Sequence, residues 1–386
     1  MTWLSRLAAG AALSMVLAAG TALAADPIKV GLILPMSGPF ASTGKQVDAA
    51  VKLYLAQNGN KVAGREVEVI LKDDTGVAPD TTKRLAQELI VKDNVDILAG
   101  FGLTPLALAT APLAEQAKKP MVVMAAASSI ITAKSPTATR TSGTLAQSAW
   151  AIAQWAAKNN IKKVFSVVTD YSPGIEAEGT FKKAFTESGG TVVEAVRIPL
   201  KNPDYGPFLQ KAKDSAPDAI FAFLPSGEGA SFMKEFGDRG LGKTIKLIAT
   251  GDVTDDDILP AMGDAAIGTI TAHFYSAAHP SPENKTYVAA FEKANGGMRP
   301  NFMSVGGYDG MKLIFDVLAK TGGKADADSF IGAAKGMAWT SPRGPVTIEP
   351  ETRDITQTIY IRKVEKVDGK LYNVEFDQIA AVKDPR

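Results

Sequence analysis

Short apolar strands alternating with helices along most of this chain predict an α/β fold made of two mostly parallel units. Three observations carry that prediction. Apolar runs such as residues 28–35 and 95–99 lack polar alternation, as strands covered on both faces do. Each run leads through a turn into a stretch of helical spacing, the signature of βαβ units. The pattern resets after Pro136 and starts again, so a second unit of the same kind follows the first.

The chain opens on Arg6 and an apolar stretch at 7–23, which ends in Ala22-Leu23-Ala24. A positive start, an Ala/Leu-rich core and a small-x-small site predict a signal peptide over residues 1–24, with Ala25 first in the mature chain. The remaining residues are enough for two compact domains. Taking Arg6 from the 42 basic residues leaves 41 against 41 acidic ones, a formal charge of zero. That balance disfavours nucleic acid as a partner. The chain has no cysteine, which excludes disulfides, thiol catalysis and Cys-ligated metal. No later stretch is apolar enough for long enough to span a bilayer. A soluble exported protein is expected.

Strand 28–35 runs into Ser37-Gly38-Pro39-Phe40 and a helix carrying Val47, Val51 and Tyr54. Strand 67–71, a turn at Lys72-Asp73-Asp74-Thr75 and a helix through Leu85 and Leu89 follow. Strand 95–99 ends at Gly100-Phe101-Gly102, after which Thr104 suits an N-cap and Pro105 the first helical position. Strand 121–124 ends in a small-residue loop through Ser128 and Ser129. Both loops leave carboxyl ends of parallel strands, where open α/β sheets bind ligands. Helix-start N–H groups with the Thr104, Ser128 and Ser129 hydroxyls predict a cradle for a small anion.

In the second unit, strands are expected at 164–169, 191–198, 219–223, 246–249 and 268–274, with helices between them. Helices at 287–294, 305–318 and 325–335 have no strand between them, so they are placed returning to the first unit. A strand at 346–348 and a hairpin of 356–364 with 371–376 complete the chain. The path then crosses between units near 140–146, 274–280 and 340–348.

The catalytic inventory is thin. The GPFASTGKQ stretch at 38–46 has five residues between its glycines instead of four, and Gln46 where a phosphate loop needs Ser or Thr. Gly100-x-Gly102 lacks the third glycine of a dinucleotide fingerprint. His273 and His279 straddle a bend without metal-ligand spacing, one expected at the bend and the other in solvent. Asp255, Asp256 and Asp257 are expected at a helix N-terminus, and Asp73 and Asp74 as solvated turn residues. No cofactor and no metal are expected.

Taken together, the signal segment, IKVGLILPMSGPFASTGKQ, the KDDT turn, AGFGLTPLALATAPLAEQAKKPMV and VGGYDG resemble the type I periplasmic binding proteins, in the branched-chain amino-acid-binding branch of ABC importers. The resemblance implies two doubly wound Rossmann-like lobes joined by three hinge strands. It divides the chain into 25–143 with 277–343 and 144–276 with 344–386. The ligand would lie between the lobes. Carried over position by position, the first-lobe contacts fall on Thr43, Leu103, Thr104, Pro105, Ala126, Ala127 and Ser128. Second-lobe contacts fall on Tyr171, Pro173, Pro225 and Ser226. Where relatives pair the ligand amine with an acidic residue, this chain has Gly251, with Asp252 beside it and directed away if the local chain is extended. Phe274 and Tyr275, with Phe40 and Leu106, would add apolar and aromatic wall.

The expected function is a non-enzymatic periplasmic solute-binding protein. It would act as a monomer, capture a small organic or aromatic acid and deliver it to a membrane permease. A branched-chain amino acid is the alternative ligand. A secreted α/β enzyme and a ligand sensor are alternatives of another class.

Overall fold

A computed structural model describes residues 26–386 apart from Val77. The expected signal segment and its cleavage site lie outside the described residues. Six strands form the first sheet: β1 (Ile28–Leu34), β2 (Lys61–Val62), β3 (Arg65–Asp73), β4 (Ile97–Gly100), β5 (Met121–Val123) and β6 (Ala138–Arg140). Their order is β2-β3-β1-β4-β5-β6, parallel except for β2. The second sheet begins with five parallel strands, β7 (Lys163–Thr169), β8 (Thr191–Ile198), β9 (Ala219–Phe223), β10 (Lys246–Thr250) and β11 (Ile270–His273). An antiparallel extension follows, β12 (Ala338–Ser341), β13 (Gly344–Ile348), β14 (Ile355–Val367) and β15 (Lys370–Val382), joined through β14 to β11.

The central strands are buried along their whole length, which is why they read as continuous apolar runs. Val30 of β1 lies between Val69 and Ile97, so the first sheet reverses its winding at β1. The second reverses between β7 and β9. Crevices at such switch points are where open α/β sheets hold ligands. Here the two switch points face each other.

The helices Pro282–Ala294, Phe302–Thr321 and Ala327–Ala334 pack on the first lobe, as expected from the missing strands. Tyr54 of the first lobe meets Tyr308 and Phe315 of the long helix edge-on, both at 5.2 Å. The chain leaves the first lobe after Arg140, returns after His273 and leaves again after Ala334. This last crossing comes earlier than expected, because β12 pairs with β13 at the edge of the second sheet. The terminal hairpin is also longer than expected, since β14 and β15 stay paired out to Gln357 and Val382.

Each crossing is fastened by a fully buried arginine. The Arg140 guanidinium donates to Asp354 Oδ1 at 2.7 Å, to the Ser128 carbonyl at 2.6 Å and to the Ala126 carbonyl. Arg343 donates to the Thr141 and Ser142 carbonyls and faces Asp309 at 2.8 Å. Arg362 donates to the Tyr275 carbonyl and, at 3.2 Å, to that of Gly251. Backbone carbonyls in a crossing segment have no sheet partner, and a planar fork satisfies several at once.

Three sequence expectations change in the structure. Asp74 is buried, accepting from the Thr82 hydroxyl and the Gly76 N–H at 3.0 Å each, so it holds its turn from inside. Asp255, Asp256 and Asp257 cap no α-helix. They lie between two 3₁₀ segments and accept from Ser226, Asn301, Asn373 and Ser42 at the junction of the lobes. His279 is not solvated but pairs with Glu375 at 2.7 Å, while His273 is buried against Phe274 and Phe302.

Candidate ligand-binding site

A small cavity lies between the facing switch points. The first lobe contributes Phe40, Thr43, Gly102, Leu103, Thr104, Ala125, Ala126 and Ala127. The second contributes Tyr171, Pro173, Phe223, Pro225, Ser226 and Asp252, with Leu145 and Met303 closing the back.

These residues share an origin. Phe40 and Thr43, Leu103 and Thr104, Leu145, Tyr171 and Pro173, and Met303 stand at the starts of five different α-helices. Helix starts carry unpaired N–H groups and the positive end of the peptide dipole. Among the described residues no Lys, Arg or His lines the cavity. Any preference for an anion therefore comes from the backbone, as at other helix N-termini.

The first-lobe wall is built from two loops tied together. Gly100 ends β4 at φ +101°, a conformation that a side chain resists. The expected cap shifts by one residue. Leu103 is extended and takes the cap position, Thr104 is the first helical residue and Pro105 the second. The Thr104 hydroxyl is thereby free to accept from the Ser128 N–H at 3.3 Å. The Ala126 N–H donates to the Phe101 carbonyl at 2.8 Å, and Arg140 holds the Ala126 and Ser128 carbonyls from behind. Among the described residues no protein acceptor meets the Ala127 N–H.

In the second-lobe wall the Tyr171 ring stacks on Phe223, with centroids 6.0 Å apart. Gly174 lets the helix behind Tyr171 start against β7, since a Cβ there would stand 1.9 Å from the Thr169 carbonyl. The Ser226 hydroxyl donates to Asp255. Asp252 sits in the 3₁₀ turn Gly251–Thr254 and is the acidic side chain of the wall. Burial pushes its pKa up to about 6, against the opposing pull of its own N–H, the Thr250 hydroxyl and the Arg362 charge. Its Oδ2 has no hydrogen-bond partner.

Ten of the fifteen expected site residues therefore line the cavity: Thr43, Leu103, Thr104, Ala126, Ala127, Tyr171, Pro173, Pro225, Ser226 and Asp252. The expectation that Asp252 turns away fails because the chain there is a 3₁₀ turn, not extended. Pro105 lies outside, in a wider space at the cleft mouth shared with Leu106, Leu200 and Pro203. Ser128 is buried behind the wall, next to half-buried Glu176. Gly251 is pressed against Arg362 and His273. Phe274 packs under the Arg343 guanidinium at 4.8 Å, and Tyr275 is buried in the second crossing. Sequence reasoning missed Gly102, Ala125, Leu145, Phe223 and Met303 as site residues and used Phe40 only as wall. Phe223 was within reach, since it ends an apolar strand just before Pro225. Leu145 and Met303 carry no local signal, because only the crossing geometry brings them to the cavity.

The lobes touch on both sides of the cavity. The Ser129 N–H donates to both carboxylate oxygens of Glu176, at 2.9 and 3.2 Å, and Ser42 donates to Asp257. Burial raises the Glu176 pKa.

A profile of periplasmic binding proteins matches residues 27–370. The chain belongs to the periplasmic binding protein family. A solute-binding protein of an ABC transporter from Rhodopseudomonas palustris BisB5, solved with 3,4-dihydroxybenzoic acid, is 62% identical, with a TM-score of 0.91. That match covers 93% of this chain and 99% of the other. A solute-binding protein from R. palustris HaA2, solved with p-hydroxybenzoic acid, is 48% identical at a TM-score of 0.90, with the same coverage. The Leu/Ile/Val-binding protein homolog 6 of Brucella abortus (strain 2308) is 48% identical over 97% of both chains. The two-lobed α/β periplasmic-binding-protein fold expected from sequence is the one observed.

Proposed function

We propose that this protein is the solute-binding component of an ABC importer, and that it captures a small aromatic carboxylate between its closing lobes. The observation that carries this reading is the wall itself: three helix starts without a side-chain cap, at Phe40, Leu103 and Tyr171, favour an anion, while Phe40, Tyr171 and Phe223 supply flat apolar surface. The relatives solved with dihydroxy- and hydroxybenzoic acid support it. Ligand touching both lobes stabilises the closed form by its differential affinity, and a membrane permease then recognises the closed pair of lobe surfaces. The protein acts in the periplasm after cleavage near Ala24 and releases its ligand chemically unchanged.

A branched-chain amino acid is the second reading. It draws on the name of the Brucella relative and on the presence of an acidic side chain, Asp252, that an ammonium could meet. A thermal-shift and calorimetric comparison of benzoate, 4-hydroxybenzoate, 3,4-dihydroxybenzoate and leucine decides between them. Ligand at about a hundred times its dissociation constant stabilises the fold by roughly 2.7 kcal/mol, a shift of several degrees. The aromatic acids are expected to give that shift and leucine none. The reverse pattern sinks the proposal.

A further inference from the structure

We propose that Asp252 recognises a ring hydroxyl of the ligand, so that the cavity selects hydroxylated benzoates over benzoate itself. The inference rests on the aromatic-carboxylate reading and adds which end of the molecule meets which lobe.

Asp252 is held in place without being neutralised. Its turn is clamped from behind, where Arg362 donates to the Gly251 carbonyl at 3.2 Å. Gly251 has no room for a side chain, since a Cβ would lie 2.3 Å from Arg362 and 2.4 Å from His273. The turn cannot roll backward, so the next side chain faces the cavity. Arg362 contributes its charge at a distance, but its nearest carboxylate is Asp256 at 4.0 Å, not Asp252. The other groups around Asp252 are the Thr250 hydroxyl, the Tyr171 phenol and Asp255.

The result is a buried carboxyl, 5% exposed, that lines a small cavity, with Oδ2 and the neighbouring Thr250 hydroxyl both lacking a hydrogen-bond partner elsewhere in the protein. The Thr250 hydroxyl is one donor and a carboxylate has two oxygens to satisfy, so a further partner is to be sought in the ligand. A second carboxylate cannot be that partner, since two like charges in a dry site repel. A phenolic hydroxyl can, because it stays protonated at neutral pH and offers one donor to one free oxygen. An ammonium brings three donors where a phenol brings one. The ligand's own carboxylate then lies at the opposite end, on the helix starts around Thr104 and Ala127.

The test is calorimetry on the whole mature protein with benzoate, 3-hydroxybenzoate, 4-hydroxybenzoate, 3,4-dihydroxybenzoate and leucine. In the unaltered protein the best hydroxylated acid is expected to bind about ten- to a hundredfold tighter than benzoate, the worth of a hydrogen bond to a charged group. In Asp252→Ala that advantage should fall below about threefold. Asp252→Asn keeps a neutral acceptor and should retain part of the preference. A wild-type ratio below about threefold overturns the inference, whether or not the variants fold. So does an Asp252→Ala protein that loses affinity for benzoate and hydroxybenzoate equally. Binding of leucine with no aromatic acid bound defeats the aromatic-carboxylate reading itself, an outcome distinct from either of these.

Discussion

The loops after β4 and β5 give the first-lobe wall backbone and small side chains, Gly102, Thr104, Ala125, Ala126 and Ala127, with Phe40 and Leu103 beside them, whereas the second-lobe wall is side-chain chemistry, Tyr171, Phe223, Ser226 and Asp252. Both sit at sheet switch points and both lean on a buried arginine, Arg140 in the first case and Arg362 in the second. The fold supplies the same position twice. What differs is the kind of group placed there, and that divides the labour. On the proposed reading, the N–H groups of the first wall meet the feature shared by all carboxylates, while the aromatic and acidic side chains of the second meet the part that varies.

The sharpest way to separate the two walls is to remove each arginine. Arg140→Met leaves the Ala126 and Ser128 carbonyls without their donor and Asp354 without one cation. Arg362→Met frees the Gly251 turn. Each should cost about 3 kcal/mol or more of unfolding free energy, since breaking a buried charged network strands its partners. Urea denaturation measures that loss. Where the variants still fold, Arg140→Met should weaken every carboxylate alike. Arg362→Met should mainly narrow the gap between hydroxybenzoate and benzoate.

The pH dependence of the ligand-free protein isolates the second wall alone. Asp252 holds its proton up to about pH 6 in the fold, above the carboxylate range of an unfolded chain. Between roughly pH 4 and pH 6 the folded state therefore binds more protons, and stability falls as pH rises. Above pH 6 the accumulated cost from this one group is at most roughly 3 kcal/mol. Asp252→Asn should melt higher than the unaltered protein at pH 7, and the difference should shrink at pH 4. Equal differences at both pH values would mean that Asp252 is not perturbed by its burial.

A smaller effect belongs to the first wall. Thr104→Val removes the acceptor that ties Ser128 N–H to the helix start. Calorimetry should show about a tenfold loss for benzoate and hydroxybenzoate alike, near the value of one hydrogen bond. A change in their ratio would contradict the division between walls.

How much of this was legible in the sequence follows the same division. The strands, the return of the strandless helices and the loops at 102–104 and 125–127 follow from apolar runs, glycines and the prolines that open helices, all of them local signals. Asp252 was misdirected by a single assumption about backbone shape, since a 3₁₀ turn aims side chains differently from a strand. Arg140, Arg343 and Arg362 could not be recognised at all. Nothing in their neighbourhoods marks a cation for burial, and their partners lie far along the chain, as Thr141 does for Arg343. Phe274 and Tyr275 were placed in the site because they follow a strand end, but the chain there crosses between lobes and packs them behind the cavity.

Ser128→Ala gives the smallest expected change. Its hydroxyl lies behind the wall beside Glu176, so affinity should move by less than about threefold. A larger loss would return Ser128 to the carboxylate cradle and extend the first wall past Ala127.

The crystal structure of the complex with 4-hydroxybenzoate tests the division of the cavity most directly. The ligand carboxylate should lie against Thr104 and the Ala127 N–H, with the ring between Phe40 and Tyr171 and the hydroxyl on Asp252. A ligand bound the other way round, with its carboxylate on Asp252 and its hydroxyl on the first lobe, would contradict the account.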